Sequence, residues 1–148
     1  MTDISFYHLQ AEPLDRALPR LLEKVLEREY RTLIRGTSEE RLTSLDESLW
    51  TYKSLSFLPH GREGEGDPAT QPIFLTRDEG NQNSAQVIVL IEDAPAPDID
   101  IFDRCLYMFD GEDEGTLAAA RVRWKAFKDQ ELSVNYYQQT ETGWQKKA

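Results

Sequence analysis

Cysteine occurs once in this 148-residue chain, at Cys105, which excludes an internal disulfide and points to a reducing compartment. Histidine occurs twice, at His8 and His60. Neither has a companion at metal-ligand spacing, so no metal is expected. No apolar run approaches the roughly 20 residues that span a bilayer. The opening MTDISFYHLQAEP has neither a basic leader nor an apolar signal segment, so the cytoplasm is the expected location. Neither of the Gly-rich phosphate-binding patterns, GxxxxGKS/T or GxGxxG, follows the first strand candidate. Gly64 and Gly66 sit in a loop without strand–helix context, so no nucleotide cofactor is expected.

Positive charge is scarce as well. Lys and Arg number 17 against 27 Asp and Glu, for a net charge of −10. The imbalance is local. Residues 1–61 carry 8 basic and 10 acidic side chains, residues 62–115 carry 3 and 14, and residues 116–148 carry 6 and 3. An acidic field of this kind disfavours broad binding to a nucleic-acid backbone, which needs clustered Lys and Arg. A local basic site for an acidic peptide remains compatible with it.

The length suits one domain with one sizeable core, spanning 1–148 with an acidic loop at about 61–71 and a short tail at about 141–148. Ile4–Leu9 predicts a strand and Pro13 a helix start. Leu14, Leu18, Leu21, Leu22, Val25 and Leu26 follow at helical spacing. Pro19 should bend that helix or delay its start to Asp15 or later. Tyr30–Ile34 is a second strand, broken by Gly36. Thr37-Ser-Glu-Glu then supplies a hydroxyl cap and first-turn acids for a helix reaching Tyr52. Ile73–Thr76, Val87–Ile91 and Arg104–Phe109 are further strands, and Thr116–Lys128 is a helix. Leu132–Thr140 reads as a last edge strand, with an antiparallel orientation left open. Strand–helix alternation with short links predicts an α/β domain of three layers around a mostly parallel sheet, with right-handed crossovers.

Two stretches carry more than fold. From Leu45 to Gly61 (LDESLWTYKSLSFLPHG) the chain leaves a helix and presents Trp50, Leu55, Phe57, Leu58 and Pro59 within ten residues. Apolar area concentrated in a connection marks a partner site, although Trp50 and Phe57 closing over the core would satisfy the same pattern. In the last helix, Leu117, Ala120, Trp124 and Phe127 fall on one apolar arc at 100° per residue. Arg121, Lys125 and Lys128 form a basic line beside Trp124, and Arg123 projects from the other border. That rim suits a peptide with acidic residues and an apolar end. An ordinary amphipathic helix with its cations in water, favoured there by the macrodipole, has the same spacing. The remaining chemistry-bearing residues fit structural roles: His8 and His60 as structural or surface residues, Cys105 as a buried inert thiol. The acids Glu112-Asp113-Glu114 and Asp98–Asp103 fit solvated turns without calcium-loop spacing. No catalytic constellation emerges.

Together these stretches resemble the chi subunit of bacterial DNA polymerase III holoenzyme. The carrying residues are Phe6-Tyr7, LDESLW (Leu45–Trp50), SFLPHG (Ser56–Gly61), GEG (Gly64–Gly66), RVRWKAF (Arg121–Phe127) and Trp144 with its lysines. The resemblance implies an α/β fold similar to nucleotide-binding domains but without their phosphate loop. It also implies a non-enzymatic accessory protein of the clamp-loader complex. Such a protein binds the acidic, Pro-Phe-ended C-terminal tail of single-stranded-DNA-binding protein at positions matching Arg121, Trp124 and Lys125. It docks on psi, or on a replacement such as an accessory helicase, at positions matching Trp50, Phe57, Leu58 and Pro59. Family members carry a further cation where this chain has Leu117, and Lys128, one turn beyond Lys125, is the candidate substitute. The alternative from a different class is a small nucleotide-binding enzyme or sensor using the C-terminal edge of the sheet.

Overall fold

The computed structural model describes residues 2–10, 13–51, 61–62, 67, 71–140 and 143–147, with Trp50 and Thr51 described by their backbone. In chain order they form β1 (Asp3–Leu9), α1 (Leu14–Glu27), β2 (Thr32–Arg35), α2 (Glu39–Thr51), β3 (Gly61–Arg62) and β4 (Ile73–Thr76). β5 (Val87–Leu90), a single 3-10 turn at Ile99–Ile101, β6 (Arg104–Asp110), α3 (Glu114–Asp129), β7 (Ser133–Thr140) and β8 (Gly143–Lys146) complete them.

The strands make one sheet in the order β3-β4-β2-β5-β6-β1-β7-β8. Every neighbouring pair is parallel except β7 and β8. α1 and α2 cover one face, where Leu18, Leu22, Leu42, Leu45 and Leu49 meet Ile34, Val89 and Met108. α3 covers the other, where Ala120 and Phe127 meet Phe6, Cys105 and Tyr107. The result is the expected three-layer α/β arrangement around a mostly parallel sheet. Continuous apolar strands such as β5, buried at every position, follow from that double covering.

The differences from expectation have local causes. α1 starts at Leu14 and continues through Pro19. The missing Pro19 N–H therefore costs one helical hydrogen bond without ending the helix. β2 begins at Thr32 because Tyr30 is spent closing α1: Glu29 takes φ 63 and the Tyr30 N–H donates to the Val25 carbonyl at 3.2 Å. This is the left-handed helix ending more often given to glycine. Gly61–Arg62, placed in the acidic loop, is a short strand paired with Phe74 and Leu75. β7 is parallel to β1 and is not the edge. Gly143–Lys146, read as tail, forms β8 outside it.

One buried charge anchors the loops beyond the strand ends. Arg35, the last residue of β2, is 1% exposed. It donates to the Asp98 carboxylate at 2.7 and 3.0 Å and to the Gly80 and Pro95 carbonyls at 3.0 and 3.2 Å. The Arg35 hydrogen bond, opposed by burial, holds the Asp98 carboxyl below its ordinary value. Asp98 is thus a fixed partner and not a solvated turn residue. Cys105 is buried, and desolvation pushes its thiol up to about 12, which fits the inert reading.

Candidate peptide-binding surface

α3 is set by its first residues. The Asp113 carboxylate accepts from the Gly115 N–H at 3.2 Å and the Thr116 hydroxyl at 2.7 Å. The helix therefore starts at Glu114, two residues before the expected Thr116, and Asp113 is a cap where a plain turn was expected. At the other end Glu131 takes φ 61 and the Leu132 N–H reaches back to the Phe127 carbonyl at 3.2 Å. Between these stops the 100° period decides which side chains face inward. Leu117, Ala120, Trp124 and Phe127 all pack on the sheet, as the spacing predicts.

Trp124 serves the core and the surface together. Its ring stands edge to face with Phe6 at 5.4 Å and with Tyr136 at 5.7 Å, yet it remains partly exposed. The Lys128 ammonium lies 5.2 Å from the ring centroid, within cation–π range. Arg121, Lys125 and Lys128 are exposed along the adjoining edge. Among the described residues none of the three has a carboxylate at ion-pair distance. Val122, 69% exposed, borders this row on its other side. The edge is a line of cations flanked by Trp124 and Val122, with the exposed Asp129 one turn beyond Lys125.

Arg123 is spent differently. It donates to the Asp93 carboxylate at 3.0 Å and to the Ala94 carbonyl at 3.0 Å, and lies 5.4 Å from the ring centroids of both Tyr107 and Phe127. It ties α3 to the loop after β5.

Near Arg121 the sheet supplies a partly buried polar pair. His8 Nδ1 and the Tyr136 hydroxyl are 2.5 Å apart. Burial, with Arg121 nearby and Asp110 opposing, lowers the pKa of His8. Burial raises that of Tyr136, here with Arg121 opposing. Gly111 is required here: a Cβ on it would lie 1.6 Å from His8 Nε2. His8 is accordingly structural, as expected.

Residues 1–135 match the family described as DNA polymerase III chi subunit, HolC. The chain belongs to the DNA polymerase III chi subunit family. It is also similar to a probable DNA polymerase III subunit chi of Rickettsia prowazekii (strain Madrid E). The two are 36% identical over 91 residues, which are 62% of this chain and 55% of the relative. The chain thus spans about half the length of that curated relative. The whole of α3 lies within the matched residues, whereas β8 lies beyond them.

The position at which parallel sheets usually bind nucleotides is also formed in this chi-family chain. β1 and β6 are neighbours whose connections lead to helices on opposite faces, a switch point in the sheet. A hollow of about 850 Å³ lies there. Among the described residues its rim carries Glu92, Asp93, Asp110, Glu112 and Asp113, with Arg41 as the one cation, which is paired with Asp15 at 2.9 Å. Such a rim repels phosphate. Among the described residues no group of three or more His, Cys, Asp or Glu could hold a metal, and no helix is long and apolar enough to cross a membrane.

The second surface expected from the sequence is only partly in view. Trp50 belongs to α2, but its side chain and the residues Phe57, Leu58 and Pro59 lie outside the described residues, as do Tyr52, His60, Gly64 and Gly66. Sequence reasoning missed Tyr136 as the neighbour of both Trp124 and His8. Its place in an alternating strand carried the signal, once β7 is set beside β1.

Proposed function

We propose that this chi-family protein is a non-catalytic accessory subunit of the replicative DNA polymerase III clamp-loader complex, working in the cytoplasm and at the nucleoid through the replisome. Arg121, Trp124, Lys125 and Lys128 capture the acidic, Pro-Phe-ended C-terminal tail of single-stranded-DNA-binding protein. Trp50, Phe57, Leu58 and Pro59 dock on psi, or on a replacement such as an accessory helicase. The observation that carries this reading is a row of three cations with no carboxylate at ion-pair distance among the described residues, beside a partly exposed Trp124, in a protein of net charge −10. Exposed ion pairs contribute about 0–1 kcal/mol each and one buried apolar anchor about 1.5–3 kcal/mol. Micromolar binding needs about 8 kcal/mol, so the tail complex is micromolar or weaker, and salt weakens it.

The nucleotide-binding alternative has a hollow in the right place but five carboxylates on its rim. Calorimetric titration separates the two readings. A peptide ending in acidic residues and Pro-Phe binds the wild-type chain at micromolar concentration, and Trp124→Ala or Lys125→Ala weakens it about tenfold or more, a loss of about 1.4 kcal/mol. Heat from ATP with none from the peptide would reverse the order of the readings.

A further inference from the structure

On the face of the sheet opposite α3, one flank of α1 is turned to α2 through Asp15, which bonds Ser48 at 3.3 Å and pairs with Arg41 at 2.9 Å. The other flank carries Lys24 and Arg28, both exposed and one helical turn apart, about 6 Å along the axis. Below them lies a hollow of about 150 Å³, walled by Leu21 and Val25 and floored by Tyr7, Leu106 and Val87. Arg104 closes its far rim. Among the described residues Lys24, Arg28 and Arg104 have no carboxylate at ion-pair distance. Asp3, the acid beside Arg104 in register, is engaged by the Ser133 hydroxyl at 3.1 Å and the Asn135 amide at 3.2 Å.

The sheet continues past this hollow. Tyr7, Tyr137 and Lys146 are opposite one another in register and so share a face. Trp144 joins them, edge to face with Tyr7 at 4.9 Å, while Tyr7 and Tyr137 stack at 5.3 Å. Tyr137, Trp144 and Lys146 lie beyond the residues matched to the family.

We propose that this groove is a second docking surface, which takes an extended acidic peptide segment carrying one large apolar side chain. Charge complementarity supports the acidic partner: among the described residues three cations and no acid line the groove. Alternate residues of an extended chain share a side at about 6.6–6.8 Å, close to the spacing of Lys24 and Arg28, so two acids can meet two cations. The hollow is too small for a nucleotide, since pockets for ligands of that size are roughly 300–1,000 Å³. It has room for one apolar side chain. Tyr7 and Tyr137 are occupied with each other's faces and offer bases no flat platform of the kind that single strands stack on.

The test is an amide NMR titration of the full chain with a short peptide of Asp and Glu flanking a central phenylalanine, blocked at both ends. Saturable shifts at Lys24, Arg28, Val87 and Arg104 are expected. The double variant Lys24→Glu with Arg28→Glu should weaken binding about tenfold or more, and Lys24→Gln with Arg28→Gln should weaken it less. Both should keep the wild-type amide dispersion, because the two side chains are exposed. An alanine in place of the phenylalanine should weaken binding at the same surface. Shifts confined to α3, absence of saturation, indifference to charge reversal, or tighter binding of an oligothymidylate in the groove would each overturn the proposal. Because the two surfaces lie on opposite faces, shift mapping tells failure here apart from failure of tail capture at α3.

Discussion

Arg123 and Arg121 sit two residues apart on α3 and are used in opposite ways. Arg123 meets the Asp93 carboxylate, the Ala94 carbonyl and the faces of Tyr107 and Phe127. Arg121 continues into Lys125 and Lys128 along an edge where no carboxylate of the described residues comes within pairing distance. The first flank spends its charge on holding the helix to the loop after β5. The second leaves its charge without a carboxylate partner among the described residues, beside a partly exposed Trp124. A cation already satisfied within the chain has little left for a partner, because its desolvation and ordering are already committed to the fold. The difference between the flanks is therefore the physical basis for placing partner binding on one of them.

Arg35 extends the comparison to a fully committed cation, and its removal should have the largest effect. Arg35→Ala removes the donor to the Gly80 and Pro95 carbonyls and leaves the Asp98 carboxylate with the Gly80 N–H but without its charged partner. A loss of about 3 kcal/mol of unfolding free energy is expected in urea. The pH dependence has a defined sign. The carboxyl of Asp98 is held below its ordinary 3.8 in the folded chain. Its contribution is therefore complete above that value and is lost as pH falls through the lower folded value. In Arg35→Ala or Asp98→Asn that part of the acid-side slope should disappear. A slope unchanged by both substitutions would mean that the pair does not stabilise the loops.

Gly111→Ala comes next. The new Cβ would lie 1.6 Å from His8 Nε2, so the His8–Tyr136 pair must move, at about 1–3 kcal/mol. The movement should also shift the amide resonances of Arg121, whose charge acts on both groups of that pair. An unperturbed Arg121 would separate the cation row from its floor.

The two flanks of α3 are then compared directly. Arg123→Ala removes charged hydrogen bonds, and a loss of about 1–2 kcal/mol is expected, reduced from the usual range because Asp93 is partly exposed. Lys125→Ala should change unfolding free energy by no more than about 0.5 kcal/mol, while lowering affinity for an acidic tail. Equal destabilisation by the two substitutions would erase the distinction between them.

Much of this was readable from residue order, and the limits are instructive. The inward arc Leu117, Ala120, Trp124 and Phe127 follows from the 100° period alone. Ile73–Thr76 has the same bounds in the structure as expected, because an apolar β-branched run between turn residues leaves little choice. Tyr30 was misplaced because a left-handed Glu29 ended α1 where no glycine announces it. β7 looked like an edge because its Asn, Gln and Tyr alternate with few aliphatics. Its true neighbours, β1 and β8, are set by pairing that local pattern does not encode. Arg35 and Asp98 are separated by 63 positions, so neither reveals the other by spacing. For the same reason periodicity separates Arg123 from the Arg121 row without showing that, of these four cations, Arg123 is the one paired with a carboxylate among the described residues.

The most direct test of the central claim is where an acidic peptide ending in Pro-Phe settles on the chain. Its titration should be followed through the Trp124 indole N–H and the backbone amides from Arg121 to Lys128. The account predicts saturating shifts concentrated on those signals and weakening as salt rises. Shifts confined to the acidic hollow beside β1 and β6, or none along α3 at saturation, would contradict it.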